Sequence, residues 1–194
     1  YSLNVAATKW DIQDIKGIPQ KKVTPSAADQ NEIGRERGDL KKALADKLNK
    51  NYWEKGFVMP VKGRISGHFG GQRIMNGRKM NPHQGTDIAA PEGTPVKAAS
   101  NGIIRLSGGN YFYSGNTVVI DHGHQLFTIY AHLKKVSVKA GDYVRQGQVI
   151  GEVGKTGRVT GPHLHWGASL NGVRFTPESL LHTVSYTHLT LPTI

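Results

Sequence analysis

Hydrophobic positions along the chain change their spacing near residue 60. Before it, Ile33, Leu40, Leu44 and Leu48 recur at steps of seven, four and four, a narrow stripe with the helical period. The stripe follows Thr24-Pro25-Ser26, where Ser26 is a candidate N-cap and Asp29 falls in the first turn, where the helix dipole favours negative charge. Gly34 and Gly38 weaken this helix, each by about 1 kcal/mol relative to Ala. Upstream, residues 1–24 alternate loosely through Ser2-Leu3-Asn4-Val5 and then Ile12, Ile15 and Ile18, a pattern that predicts one or two strands. Trp53 and Phe57 are expected to dock this arm onto the rest of the chain.

Past Pro60 the apolar runs become short and glycine punctuates them. Residues 86–90, 95–99, 102–107, 117–121, 126–131 and 164–170 are strand-like in composition, and Val144, Val149, Ile150 and Val153 continue the pattern. Pro-Glu-Gly-Thr, Asp-His-Gly-His, Ala-Gly-Asp and Gly-Lys-Thr-Gly separate them as turns. Regular strands with no helix between them predict a mainly β architecture: a compact antiparallel β-sheet domain with a groove, preceded by an N-terminal arm containing a helix. The expected organisation is an arm over residues 1–59, a β-domain over 60–181, and a disordered or non-native tail over 182–194. That tail is Thr-rich and without period, and no function is expected of its His182 and His188.

Composition removes several chemistries. Without cysteine, thiolate zinc sites, disulfide frameworks and thiol catalysis are excluded. No apolar run approaches the length of a membrane span. The chain begins at Tyr1 rather than Met and is expected to be a processed or excised piece. The net charge of +11 is spread along the chain without a basic run, which describes a solvated basic surface or attraction to a polyanion such as an anionic wall polymer. No helix-turn-helix, aromatic RNA-binding strand or basic helix is visible, so nucleic acid is not expected as a partner.

The nine histidines carry the most information. His163 and His165 lie two apart on a predicted strand and project to one face, with Leu164 and Trp166 turned to the core. Two imidazoles aimed at one spot are costly unless each has a partner, so one can ligate a metal while the other handles a proton. In the stretch Pro82-His83-Gln84-Gly85-Thr86-Asp87, four residues of straight strand would span ~13 Å. The chain must therefore bend for His83 and Asp87 to share an ion, and Gly85 offers the freedom. His132 ends another apolar strand and could face the same pocket. His122 and His124 flank Gly123 in a turn and read as turn or supporting residues; His68 could line the groove. Arg73, Asn76 and Arg78 sit on a polar loop that faces either solvent or a substrate carboxylate.

The order PHQGTDIAAPEGTPVKA, VVIDHG, YAHL and AGDYVRQGQVIGEVGKTGRVTGPHLHW resembles the lysostaphin-like (LytM-type) zinc metalloendopeptidases, peptidoglycan hydrolases of bacterial walls, over residues 60–180. The resemblance implies that His83, Asp87 and His165 bind Zn2+ and that His132 and His163 are catalytic. It implies zinc-dependent hydrolysis of peptide bonds in peptidoglycan cross-links, of the D-alanyl-diaminopimelate type, with stem peptides as partners. The expected location is the cell envelope, periplasmic after export, with no transmembrane segment in this chain. The arm resembles the segment preceding this domain in Gram-negative envelope members and could autoinhibit by folding over the groove and supplying a blocking ligand. An alternative is a non-catalytic module of the same β-domain that binds the envelope or activates an amidase. The run VKAGDYVRQGQVIGEVGKTG also resembles the hairpin of lipoyl and biotinyl carriers, with Lys155 in the carrier position.

Overall fold

The computed structural model describes residues 11–45 and 48–182. In chain order the arm contributes β1 (Ile12–Ile15), α1 (Gln20–Val23) and α2 (Asp29–Ala43). There follow β2 (Arg64–Gly67), β3 (Gln72–Met75), β4 (Arg78–Lys79), β5 (Thr86–Ala89), β6 (Pro95–Lys97) and β7 (Gly102–Tyr111). The remainder is β8 (Gly115–Asp121), β9 (Leu126–Leu133), β10 (Lys135–Val136), β11 (Tyr143–Val144), β12 (Val149–Glu152), β13 (His163–Leu170) and β14 (Val173–Phe175), then a 3-10 turn, Pro177–His182. The fold is mainly β, as the strand spacing predicts.

The largest sheet runs β11-β7-β8-β9-β13-β5-β2, and all its pairings are antiparallel. β14 joins the same edge of β13 that β5 occupies, pairing Ala168, Ser169 and Leu170 beyond the point where β5 ends at Trp166. Two small sheets flank it: β10-β12-β6, and β1-β3-β4, in which β1 runs parallel to β3.

Alternation along the strands gives the large sheet two different faces. One carries Leu164, Trp166, Tyr130, Val118, Ile120 and Ile88 into the main core, closed by Val96, Ile150 and Val153 around the second sheet and by Trp53 and Phe57 near the end of the arm. The other exposes Val119, Phe127 and Ile129, covered by Leu40, Ala43 and Leu44 at the end of α2. Burying those apolar side chains is worth about 25 cal/mol per Å2 and fixes α2 against this face. It is also the face on which the odd-numbered residues of β13, including His163 and His165, emerge.

The arm departs from its sequence reading in three ways. Residues 20–23, expected as extended chain, form the one-turn α1 after Pro19; Ser2 to Val5 lie outside the described residues. Helix α2 starts at Asp29 behind Ala28, and Ser26 instead donates its N–H and Oγ–H to the Asp29 carboxylate, at 2.9 and 2.6 Å, closing the turn before it. The helix ends at Ala43, with Leu44 on its cap, so Leu48 is not part of the stripe. Backbone pairing explains this: the Leu48 carbonyl accepts from His124 N–H (2.8 Å) and Tyr52 N–H donates to the His122 carbonyl (3.0 Å), so this segment is drawn to the β8–β9 turn. Of the expected tail, His182 ends the 3-10 turn and residues 183–194 lie outside the described residues.

Candidate metal centre

Register places Asp87 directly opposite His165 on the β5–β13 ladder, and His83 arrives from the bend before β5. Asp87 Oδ1 lies 2.9 Å from His165 Nδ1 and 3.1 Å from His83 Nε2, and those two nitrogens are 3.0 Å apart. The three atoms form a nearly equilateral triangle. Gly85 makes this approach possible by its size rather than its backbone angles. A Cβ there would stand 2.6 Å from the Trp166 carbonyl oxygen and 2.7 Å from the His165 ring.

Each donor is oriented from behind. His83 Nδ1–H donates to the His68 carbonyl at 3.0 Å, leaving Nε2 unprotonated towards the triangle. Asp87 divides its oxygens: Oδ1 faces the histidines, while Oδ2 accepts from the Arg73 guanidinium. Arg73 is in turn held through Nε by Gln13 Oε1 (3.3 Å), a residue of β1. Burial alone would raise the Asp87 carboxyl, but the hydrogen bonds and charges of His165 and His83 hold it well below the usual carboxylate range. Burial pushes His165 down to about 4, against the pull of the Asp87 carboxylate. At neutral pH the triangle therefore presents the neutral imidazole of His165 and the carboxylate of Asp87, with Nε2 of His83 turned to the same point.

His163 and His132 stand beside it, with ring centroids 4.8 Å apart, and His132 is 5.9 Å from the His165 ring. His163 Nε2 is 3.8 Å from Asp87 Oδ1. Both histidines are pinned in one tautomer: Nδ1–H of His163 donates to the Gly161 carbonyl (2.9 Å), and Nδ1–H of His132 to that of Thr156 (2.9 Å). A carbonyl can only accept, so in the neutral ring it is Nε2 that carries the lone pair. Burial, reinforced by the neighbouring His163 and His165, holds His132 well below the usual imidazole range. Strict alternation on β9 would send His132 to the side of Tyr130, into the core. A bulge, where Asn116 and Val118 of β8 face Leu133 and Tyr130, adds a residue to β9, and His132 takes φ 65° within it. This turns the imidazole to the Ile129 side.

A groove of about 530 Å3 passes over His83, His132 and His165. Tyr113 and Ser114, at the tip of the β7–β8 hairpin, form part of its wall, as do Arg37 and Leu40 of α2. The arm grips this tip. Glu36, itself buried, accepts from Tyr113 N–H (2.9 Å), Ser114 N–H (3.0 Å) and Ser114 Oγ–H (2.7 Å), and Lys22 donates to the Phe112 carbonyl (2.6 Å). The Ser114 carbonyl then accepts the backbone N–H of His132 at 2.8 Å. Nothing in the helical stripe pointed to Glu36, because a buried carboxylate reads as a solvated one until its partners are known.

The other candidates resolve elsewhere. His68 supports His83 through its backbone rather than by lining the groove. Asn76 donates to the Ile18 carbonyl (2.7 Å) and Arg78 to Thr24 Oγ1 (3.3 Å), so both are engaged by the arm. His122 is in the core: Nδ1–H donates to the Asn101 carbonyl (2.6 Å), and Nε2 pairs with Thr128 Oγ1 (2.7 Å). His124 holds φ 49° in the turn. Lys155 is 3.5 Å from Glu92, an ordinary surface ion pair.

The donor set suits zinc. Tetrahedral bonds of about 2 Å need donors roughly 3.3 Å apart, close to this triangle, and imidazole with carboxylate is a regular catalytic set that leaves a position open. The model of Peptidase family M23 matches residues 81–177, half of the chain. A crystal structure of a putative M23 peptidase from Pseudomonas aeruginosa superposes with TM-score 0.71 and 38% identity, covering 80% of this chain and 63% of that one. A zinc-containing peptidase from Vibrio cholerae gives TM-score 0.56 and 33% identity over 66% of this chain and 39% of that one. The peptidoglycan DD-endopeptidase ShyC of Vibrio cholerae serotype O1 is 37% identical over 154 residues, 74% of this chain and 35% of the relative. The chain belongs to peptidase family M23, a family of zinc metallopeptidases. It spans about a third of the length of this curated relative.

Proposed function

We propose that this chain hydrolyses peptide bonds of peptidoglycan cross-links, with His83, Asp87 and His165 holding Zn2+ and His132 and His163 moving protons. The observation that carries this reading is the triangle of donors beside two imidazoles whose Nε2 lone pairs are free. Zinc, when bound, supplies a Lewis acid that polarises a carbonyl and brings the pKa of water near 7. His163 Nε2 takes the proton from the attacking water and returns it to the leaving amine as the C–N bond breaks. His132, with its Nδ1–H committed to Thr156, contributes a lone pair, and donates towards the oxyanion or amine only after taking up a proton.

The D-alanyl-diaminopimelate bond is the cross-link this reading favours, since ShyC is named a DD-endopeptidase. The envelope, on its periplasmic side, is the location where such a bond is met. No helix among the described residues is long and apolar enough to cross a membrane. Autoinhibition by the arm would need one of its residues among the donor atoms. The described arm residue Gln13 reaches Asp87 through Arg73 and Ser66, from behind the donor atoms, which favours support over blockage.

Zinc-loaded His132→Ala and His163→Ala are expected to retain stoichiometric metal and lose ~10^2- to 10^4-fold in turnover on purified sacculi. Near-wild-type rates in either variant would remove that residue from the mechanism. Mass spectrometry of products from defined cross-linked peptides identifies the bond. A metal-loaded protein that leaves every peptide intact would return the alternative of a binding module.

A further inference from the structure

The groove wall includes Arg37, Arg73, Arg78, Lys79, Arg158 and Arg174, and among the described residues no Asp or Glu side chain lines it. Three of these six cations have partners, and Arg37 and Lys79 are exposed to solvent. Arg73 pairs with Asp87 and Arg78 with Thr24, while Arg158 lies 4.4 Å from the centre of the Tyr113 ring, with Nη1 3.5 Å from the Lys22 carbonyl. Arg174 is different. It is only partly exposed, and burial lowers its guanidinium pKa, yet it has no hydrogen-bond or ion-pair partner among the described residues.

Its position follows from register. Arg174 faces Ser169 across the β13–β14 ladder, and directly opposed residues project to one side. Ser169, Gly167 and His165 share that side, whereas Phe175 packs against the main core. The guanidinium lies over Gly167: a Cβ built there would be in ordinary contact with Arg174 Nη1, 3.5 Å away. Gly167 is one strand repeat, ~7 Å, from His165. A planar cation is thus held beside the metal triangle, partly stripped of water and unpaired. That arrangement is unfavourable unless an anion completes it, and a guanidinium fork matches a carboxylate.

We infer that Arg174 forms a carboxylate-binding subsite of the groove and selects substrates bearing a free carboxylate next to the scissile bond. The inference rests on the proposed peptidase activity and narrows it. In a cross-link made through the amine of a diaminopimelate residue, the carbon bearing that nitrogen also bears a carboxylate, within reach of such a subsite.

The test uses two synthetic cross-linked peptides that differ only in whether this carboxylate is free or amidated. The zinc-loaded full chain should cleave the free form with the higher kcat/KM. Arg174→Met, which keeps the stem and removes the charge, should lose about 10- to 100-fold on the free form. The loss should fall mainly in KM, with little change on the amide and unaltered zinc content; Arg174→Lys should recover part of it. A wild type indifferent to amidation, or equal losses by Arg174→Met on both peptides, overturns the subsite. If neither peptide is cleaved, the peptidase reading fails separately. The subsite is then judged by calorimetric titration of the zinc-loaded protein with the same pair: preference for the free form supports it, and equal affinity overturns it.

Discussion

The two walls of the groove are built on opposite principles. The histidine wall is made by the large sheet from its own ladder: β5 opposes Asp87 to His165, the β9 bulge turns His132, and Trp166 and Tyr130 anchor the other side of the same strands. The hairpin wall is made at a distance. Tyr113 and Ser114 have their amides satisfied by Glu36 from the N-terminal arm, and Tyr111 hydroxyl donates to Asp39 of the same helix at 2.9 Å. One wall is positioned by a core and the other by polar contacts across 70 or more residues of chain. Loss of the α2 contacts to the hairpin should therefore leave the metal in place and lower turnover, whereas Gln13 of β1, which holds Arg73 behind Asp87, ties the arm to the metal wall as well.

The largest effect should come from breaking the sheet wall. Asp87→Asn removes the carboxylate charge from the triangle and leaves Arg73 without its anion. It is expected to lose stoichiometric zinc, measured by elemental analysis after dialysis, and essentially all activity. Zinc retained at wild-type affinity would show that the carboxylate is not a ligand.

Acid stability probes the core behind that wall. His122, buried with its partners, is pushed down to about 4, largely by burial and against the hydrogen bond to Asn101. Its folded pKa lies below the unfolded value of about 6.5, so the unfolded chain binds the proton first. The stability this gives is full above 6.5 and is lost as pH falls towards 4, by on the order of 3 kcal/mol. Denaturant unfolding of the metal-free protein and of His122→Gln across this window should show a shallower pH slope in the variant. Equal slopes would assign the acid sensitivity to other groups.

Glu36→Ala tests the hairpin wall. Three donors lose their acceptor, at a cost of about 1–3 kcal/mol in thermal or denaturant stability. With the Tyr113–Ser114 segment loosened, kcat should fall ~10-fold while bound zinc stays stoichiometric. A rise in activity would instead mark the arm as an inhibitor.

The presence of the strands of the β-domain and the shared face of His163 and His165 were legible because period-two alternation is a local property of residues 164–170 and their neighbours. The place of His132 was not legible in the same way. Parity along Leu126 to Leu133 directs it to the core, and only the bulge against Asn116 and Val118 reverses that, a feature set by pairing between strands. Glu36 and Arg174 escaped for a related reason: in a sequence they are two more charges on a basic protein, and their meaning lies in the groups that face them. The end of α2 was misread because Leu48 keeps the helical step while its carbonyl serves the β8–β9 turn.

Gly85 has a consequence for how this domain can fail. The space for a methyl group there is already taken by the Trp166 carbonyl and the His165 ring. A single added carbon would thus press on a proposed ligand from the rear while every donor atom stayed in the chain. Inactivity in a member of this fold can accordingly originate two residues away from any proposed ligand.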